Sequence, residues 1–115
     1  MKILSFNCQG LANPSKKTSF KRMVNSIAPN VIFIQETLGL EKSIYDVLTN
    51  LLPGWSFLAS DVRGHSGGLT IGWRNRVIKI MNSWSVEHAL GMEVYLEELG
   101  RNLVLLNVYG AYSNK

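Results

Sequence analysis

The sequence has 115 residues, a formal net charge of +4 and a pI near 9.4, enough chain for one small domain and no more. With 46% hydrophobic and 17% charged residues, it can bury a core, which excludes a disordered segment. The lone cysteine, Cys8, excludes an intrachain disulfide and points to a reducing compartment.

No apolar run approaches the length of a membrane span. Met1–Phe6 leads straight into a strand-like pattern with no secretory signal, so the reading is of an intracellular, untargeted start. The basic residues fall into two groups, one of Lys16, Lys17, Lys21 and Arg22 and one of Arg74, Arg76 and Lys79. Each reads first as a solvated face and only second as a phosphate contact, because so small a surplus is weak evidence for a polyanionic partner.

In chain order, Ile3 to Asn7 reads as a short strand with a polar end. Asn13-Pro14 starts a helix, with asparagine as the cap and proline in the first turn, where its missing N–H costs nothing. Phe20, Met23, Val24 and Ile27 follow at helical spacing, and Ala28-Pro29 ends the segment because a residue before proline is pushed out of the helical region. The branched run Val31-Ile32-Phe33-Ile34 predicts a central strand covered on both faces, and Gln35-Glu36-Thr37 gives it a polar end. A second helix is predicted from about Glu41 to Leu52, with Ile44, Val47, Leu48, Leu51 and Leu52 as its stripe and Pro53-Gly54 as its stop.

Beyond it the pattern changes to strands. Trp55 and Phe57 alternate with polar residues, Arg63 to Gly68 reads as a loop, and Leu69, Ile71 and Trp73 alternate again. Val77 to Met81, Trp84 to Val86, Met92 to Leu96 and Leu103 to Val108 are further strand candidates, with a hairpin turn at Glu98 to Asn102. The order β-α-β-α and then β suggests an α/β layer continued as antiparallel sheet. One mixed sheet with two helices on one face would leave its other face bare, an aggregation or self-association surface.

Two strand ends carry candidate chemistry. If the first two strands are parallel neighbours joined by the first helix, Asn7 and Glu36 reach one sheet edge, where ligands gather in α/β sheets. A carboxylate and an amide carbonyl are hard oxygen ligands suited to Mg²⁺. On spacing alone, Glu36 as a helix cap and Asn7 as a turn residue is the better explanation. His65 and His88 could each serve as base or ligand, although a lone surface histidine is more often neither. Cys8 reads as a small buried hydrophobe. Tyr109 reads as a packed tyrosine with a wet tip. Trp55, Trp73 and Trp84 could stack on bases, but core positions suit at least two of them better.

Taken together, four segments resemble a known family. Ile3 to Leu11 looks like the opening "WNCRGL" block of the endonuclease/exonuclease/phosphatase superfamily, and Ala12-Asn13-Pro14 is similar to its continuation in plant LINE-type elements. Pro29 to Thr37 resembles "PDIIFLQET", Ser66 to Trp73 resembles "SGGLALLW", and Asn107 to Gly110 resembles "NVYGP". The resemblance covers essentially the whole chain but only about the first half of the family domain. It implies an α/β fold, the N-terminal portion of a four-layered, DNase I-like sandwich: a mixed sheet with flanking helices, the second half missing. Residues 1–115 are then a partial endonuclease/exonuclease/phosphatase domain.

By position, the resemblance implies that Glu36 binds Mg²⁺ or Mn²⁺, that Asn7 helps hold the metal and its water, and that Tyr109 contacts the scissile phosphate. Ser66, Gly67 and Gly68 would be structural. DNA is the implied partner, and the nucleus the implied location for an intact parent element. The family's later "GDFN" and "SDH" blocks do not occur in this sequence, so the expectation is a non-LTR retrotransposon endonuclease fragment that does not cut by itself. His65, His88, Asp46 and Asp61 lie in the wrong places to replace the absent groups. Ala111 stands where plant elements usually have proline. The alternatives are a half-domain that binds nucleic acid or a partner chain without catalysis, or a fragment of a superfamily phosphatase.

Overall fold

A computed structural model describes residues 1–11, 13–38, 41–60, 68–86 and 88–109. The predicted loop residues Asp61, His65, Ser66 and Gly67, as well as Ala12, Gly110 and Ala111, lie outside these.

Strand β1 spans Ile3–Asn7 and helix α1 spans Pro14–Ile27. The cap is as predicted: Asn13 is extended, and its Oδ1 accepts from Ser15 N–H at 2.9 Å, an interaction typically worth about 1 kcal/mol. Ala28 adopts a left-handed conformation (φ 53°, ψ 56°), and its N–H donates to Val24 O at 2.8 Å. The helix therefore closes on Ala28, directly before Pro29. Strand β2, Val31–Gln35, then lies parallel to β1, with Ile3 opposite Val31 and Asn7 opposite Gln35.

Helix α2 (Glu41–Leu51), β3 (Trp55–Ala59) and β4 (Leu69–Arg74) complete the first layer pair. The four-stranded sheet has the order β1-β2-β4-β3, with β4 antiparallel to both neighbours. Phe20 and Val24 of α1 and Ile44 and Leu48 of α2 pack with Ile32, Ile34 and Phe57 on one face of this sheet. The predicted central strand is β2, fully buried at Val31, Ile32 and Ile34.

The other face of this sheet is covered, in contrast to the bare face expected from sequence. Strands β5 (Lys79–Val86), β6 (Ala89–Leu96) and β7 (Arg101–Val108) form a separate antiparallel sheet in the order β5-β6-β7. Leu90, Met92, Val94 and Leu105 from this sheet bury Val31, Leu69, Ile71 and Trp73 of the first. The physical reason is that β2 is apolar on both faces and β4 turns Leu69, Ile71 and Trp73 away from the helices, so that side needs its own cover. A run of strand candidates does not say which sheet each one joins. The two candidates Val77 to Met81 and Trp84 to Val86 also prove to be one strand, β5, with a register shift between Ile80 and Asn82.

The uncovered apolar surface has thus moved to the outer face of the second sheet. Val86, Val104, Leu106 and Val108 are all exposed there, and cross-strand register brings them together: Val108 lies opposite Ala89, which pairs with Val86, and Leu106 lies opposite Gly91. Trp84 pairs with Gly91, and its ring occupies the space a Cβ there would need. Trp55 and Trp73 are buried, whereas Trp84 is 38% exposed, matching the expectation that at least two tryptophans belong to the core. Helices, first sheet and second sheet make three successive layers.

Candidate metal and phosphate site

The β1-α1-β2 unit sets two strands side by side and in parallel, so their carboxyl ends share an edge. There, Asn7 Nδ2 donates to Glu36 Oε2 at 2.8 Å, while Asn7 Oδ1 accepts from Gln9 N–H at 3.2 Å. The amide therefore orients the carboxylate and is itself held by its own loop. Glu36 is not observed as a helix cap, since its carboxylate engages Asn7 instead.

The backbone around this pair is strained and tightly held. Gln9 (φ 49°), Glu36 (φ 56°) and Leu38 (φ 54°) are all left-handed, each at a cost of about 1–2 kcal/mol for a non-glycine residue. Bonds between the two segments hold them there: Cys8 N–H to Gln35 O (3.0 Å), Gly10 N–H to Glu36 O (2.7 Å) and Leu11 N–H to Thr37 O (3.3 Å). Lys16 Nζ adds donations to Gln9 O at 2.8 Å and Cys8 O at 3.3 Å. This lysine props the Asn7–Gln9 loop, a different task from the solvated or phosphate-binding face read from sequence. Arg74 is likewise engaged, with Nε donating to Pro29 O at 2.9 Å and its guanidinium over the Trp55 ring.

An open cleft of about 600 Å³ lies over this edge. Ser5, Asn7 and Gln9 line it from β1 and its loop, Gln35 and Glu36 from β2, and Val108 and Tyr109 from the second sheet. The three residues singled out by sequence, Asn7, Glu36 and Tyr109, thus meet in one cavity. Tyr109 is fixed by its N–H, which donates to His88 O at 2.9 Å, and by stacking on the His88 ring with centroids 6.4 Å apart. His88 itself is not among the residues lining the cleft. Cys8 is buried behind the edge, its Sγ 3.4 Å from Glu36 O. Burial pushes its thiol above the ordinary value of 9.0, as suits a packing residue and not a nucleophile.

A carboxylate braced by an amide, open to a solvent-filled cleft, fits a hard cation that keeps several waters and takes further oxygens from a phosphate, as Mg²⁺ does. Among the described residues no cluster of three or more His, Cys, Asp or Glu side chains could enclose a metal by itself, and Glu36 is the only acidic side chain among them that lines this cleft.

Sequence reading missed Ser5, Gln9, Gln35 and Asn107. Asn107 is 1% exposed. Its available signal was an amide in the otherwise apolar run from Leu103 to Val108, where a buried polar group requires partners.

No family model matches the sequence, and no curated protein matches it. Solved structures do. The human Nocturnin catalytic domain with bound sulfate anion superposes with a TM-score of 0.73 at 14% identity, over 92% of this chain and 48% of that one. The AP endonuclease LMAP from Leishmania major gives 0.72 at 18% identity, over 99% and 41%. An endonuclease/exonuclease/phosphatase from Bacteroides vulgatus gives 0.71 at 13% identity, over 92% and 51%. The chain spans about half the length of these structures, and likeness at such identities speaks to architecture: the chain has the layered α/β sandwich fold of endonuclease/exonuclease/phosphatase proteins.

Proposed function

We propose that this chain carries the metal-binding half of a Mg²⁺- or Mn²⁺-dependent phosphodiesterase site of the endonuclease type, with DNA as substrate and residues 1–115 forming part of one domain. The observation that carries the reading is the 2.8 Å Asn7–Glu36 bond at the shared strand edge, in one cleft with Tyr109. Glu36 and the Asn7 amide oxygen would hold the cation, whose chemistry is to polarise phosphate oxygens and stabilise the leaving alkoxide. Asn7 Nδ2 orients the carboxylate, and Tyr109 supplies a hydroxyl to a phosphate oxygen. The finer assignment, to a plant LINE-type retrotransposon endonuclease, rests on the sequence blocks around Asn13-Pro14 and Ser66 to Trp73.

The proposal includes incompleteness. Once Glu36 is committed to the cation, no further carboxylate and no imidazole lines the cleft among the described residues. Nothing there activates water, and groups that act as a unit lose most of their effect when one is absent. Plasmid nicking in Mg²⁺ tests this, with the purified chain set against Glu36→Ala. Neither protein is expected to nick above background. Nicking by the wild type that disappears in Glu36→Ala would show that these 115 residues assemble a working site, and would overturn the claim of incompleteness.

A further inference from the structure

The three site residues come from two different sheets. Asn7 and Glu36 stand at the edge of the first, whereas Tyr109 follows β7 of the second. Packed sheets are otherwise joined by apolar contacts, which resist separation but specify sliding poorly. Something directional has to set where Tyr109 stops relative to Glu36.

Asn107 supplies that direction. It lies on β7 opposite Leu90, so it faces the first sheet, as Leu105 does. Its Nδ2 donates to Ile34 O at 3.0 Å and to Thr70 O at 2.8 Å. Ile34 and Thr70 are opposed residues on β2 and β4, so one amide group clamps two strands of the other sheet. Its Oδ1 accepts from Gln35 Nε2 at 2.8 Å, and the same nitrogen donates to Ser5 Oγ at 3.1 Å.

The assignment of the amide atoms is forced, because two carbonyls can only accept and must therefore face the NH₂ group. The chain of bonds runs from β7 through Gln35 to β1. Gln35 immediately precedes Glu36, and Ser5 lies two residues before Asn7. Asn107 itself lies two residues before Tyr109. Every strand that bears a site residue is thus tied to this one buried amide.

We infer that Asn107 is the positioning residue of the site: by bonding simultaneously to β2, β4 and Gln35 it fixes the Tyr109 wall of the cleft against the Asn7–Glu36 wall. It does not line the cleft, and acts through the placement of Tyr109. This inference rests on reading Asn7, Glu36 and Tyr109 as one site. Leucine at this position would satisfy packing alone, would remove the donor to two carbonyls and would leave Gln35 Nε2 with Ser5 Oγ alone.

The test uses Mn²⁺ as a paramagnetic probe in amide NMR spectra of the whole chain, wild type against Asn107→Leu. In the wild type, sub-stoichiometric Mn²⁺ is expected to broaden the resonances of Asn7, Glu36 and Tyr109 together. In the variant, broadening of Asn7 and Glu36 is expected to persist while that of Tyr109 weakens relative to theirs, with the Leu90–Val94 resonances still dispersed. A ratio of Tyr109 to Glu36 broadening in a folded Asn107→Leu protein equal to that of the wild type would overturn the inference.

A variant too destabilised to fold is replaced by Asn107→Ser, whose hydroxyl can donate only one of the bonds, with the same two outcomes. If Mn²⁺ broadens neither Asn7 nor Glu36 in the wild type, the metal reading has failed and the positioning role is judged separately. Crystal structures of wild type and variant then decide it. Tyr109 displaced from Asn7 supports the role, and superposable cleft walls overturn it.

Discussion

Gly68 offers a sharp test of how the Glu36 loop is held. It lies at φ +93°, and its carbonyl accepts from Thr37 N–H at 3.4 Å, one residue after Glu36. A Cβ added at this position lands well inside contact distance of Thr37 Oγ1. Alanine there costs about 1–2 kcal/mol for the left-handed backbone, and the overlap adds about 1–3 kcal/mol of overpacking. The expected destabilisation of Gly68→Ala is therefore about 2–5 kcal/mol, a large share of the about 5–15 kcal/mol typical of an intact domain. Gly54 is the control, because it also has a positive φ (+89°) but a methyl group there would meet no atom within 4 Å, so Gly54→Ala should show the backbone cost alone. Thr37→Ala removes the clashing oxygen, which has no hydrogen-bond partner among the described residues. The pair Gly68→Ala/Thr37→Ala should then recover about 1–3 kcal/mol relative to additivity. Urea unfolding followed by fluorescence of buried Trp55 and Trp73 reads the wild type and all four variants. Equal costs at Gly68 and Gly54, or no recovery in the double variant, would refute the proposed contact.

Two further outcomes follow from other parts of the molecule. Because burial raises the Cys8 thiol above 9.0, the folded state holds this proton more tightly than the unfolded chain, so the associated stability is present below pH 9.0 and falls as pH rises through the folded value; wild type should lose stability in alkaline urea titrations faster than Cys8→Ala, and parallel curves would contradict this. The exposed outer face of the second sheet should drive self-association, so Val104→Lys/Leu106→Lys should shift sedimentation toward monomer, whereas an unchanged distribution would show that this face is not the contact.

The first half of the fold was legible because its punctuation is local. Asn13-Pro14 and Ala28-Pro29 bracket α1 through capping and backbone sterics, and once β1 and β2 are parallel neighbours Asn7 and Glu36 share one edge. The Tyr109 wall was legible only through resemblance, since its meeting with Glu36 depends on how two sheets stack. Sheet membership was not legible either: periodicity of two reports which residues share a face, and is silent on which strands share a ladder. Asn107 was hidden for a related reason. The run Leu103-Val104-Leu105-Leu106-Asn107-Val108 is apolar at both parities, so the sequence does not say that Leu105 and Asn107 point inward while Leu106 and Val108 point out. Only the facing carbonyls of Ile34 and Thr70 explain why an amide stands there.

The most direct measurement on the central claim is a Mn²⁺ titration of the wild-type chain and Glu36→Gln, mapped residue by residue in amide NMR spectra. Broadening that begins at Asn7, Gln9 and Glu36, and that disappears in Glu36→Gln while the remaining spectrum is unchanged, is the expected result. Broadening centred elsewhere, such as the exposed Glu97-Glu98 turn, or unaffected by Glu36→Gln, would contradict the assignment of this strand edge as a metal and phosphate site.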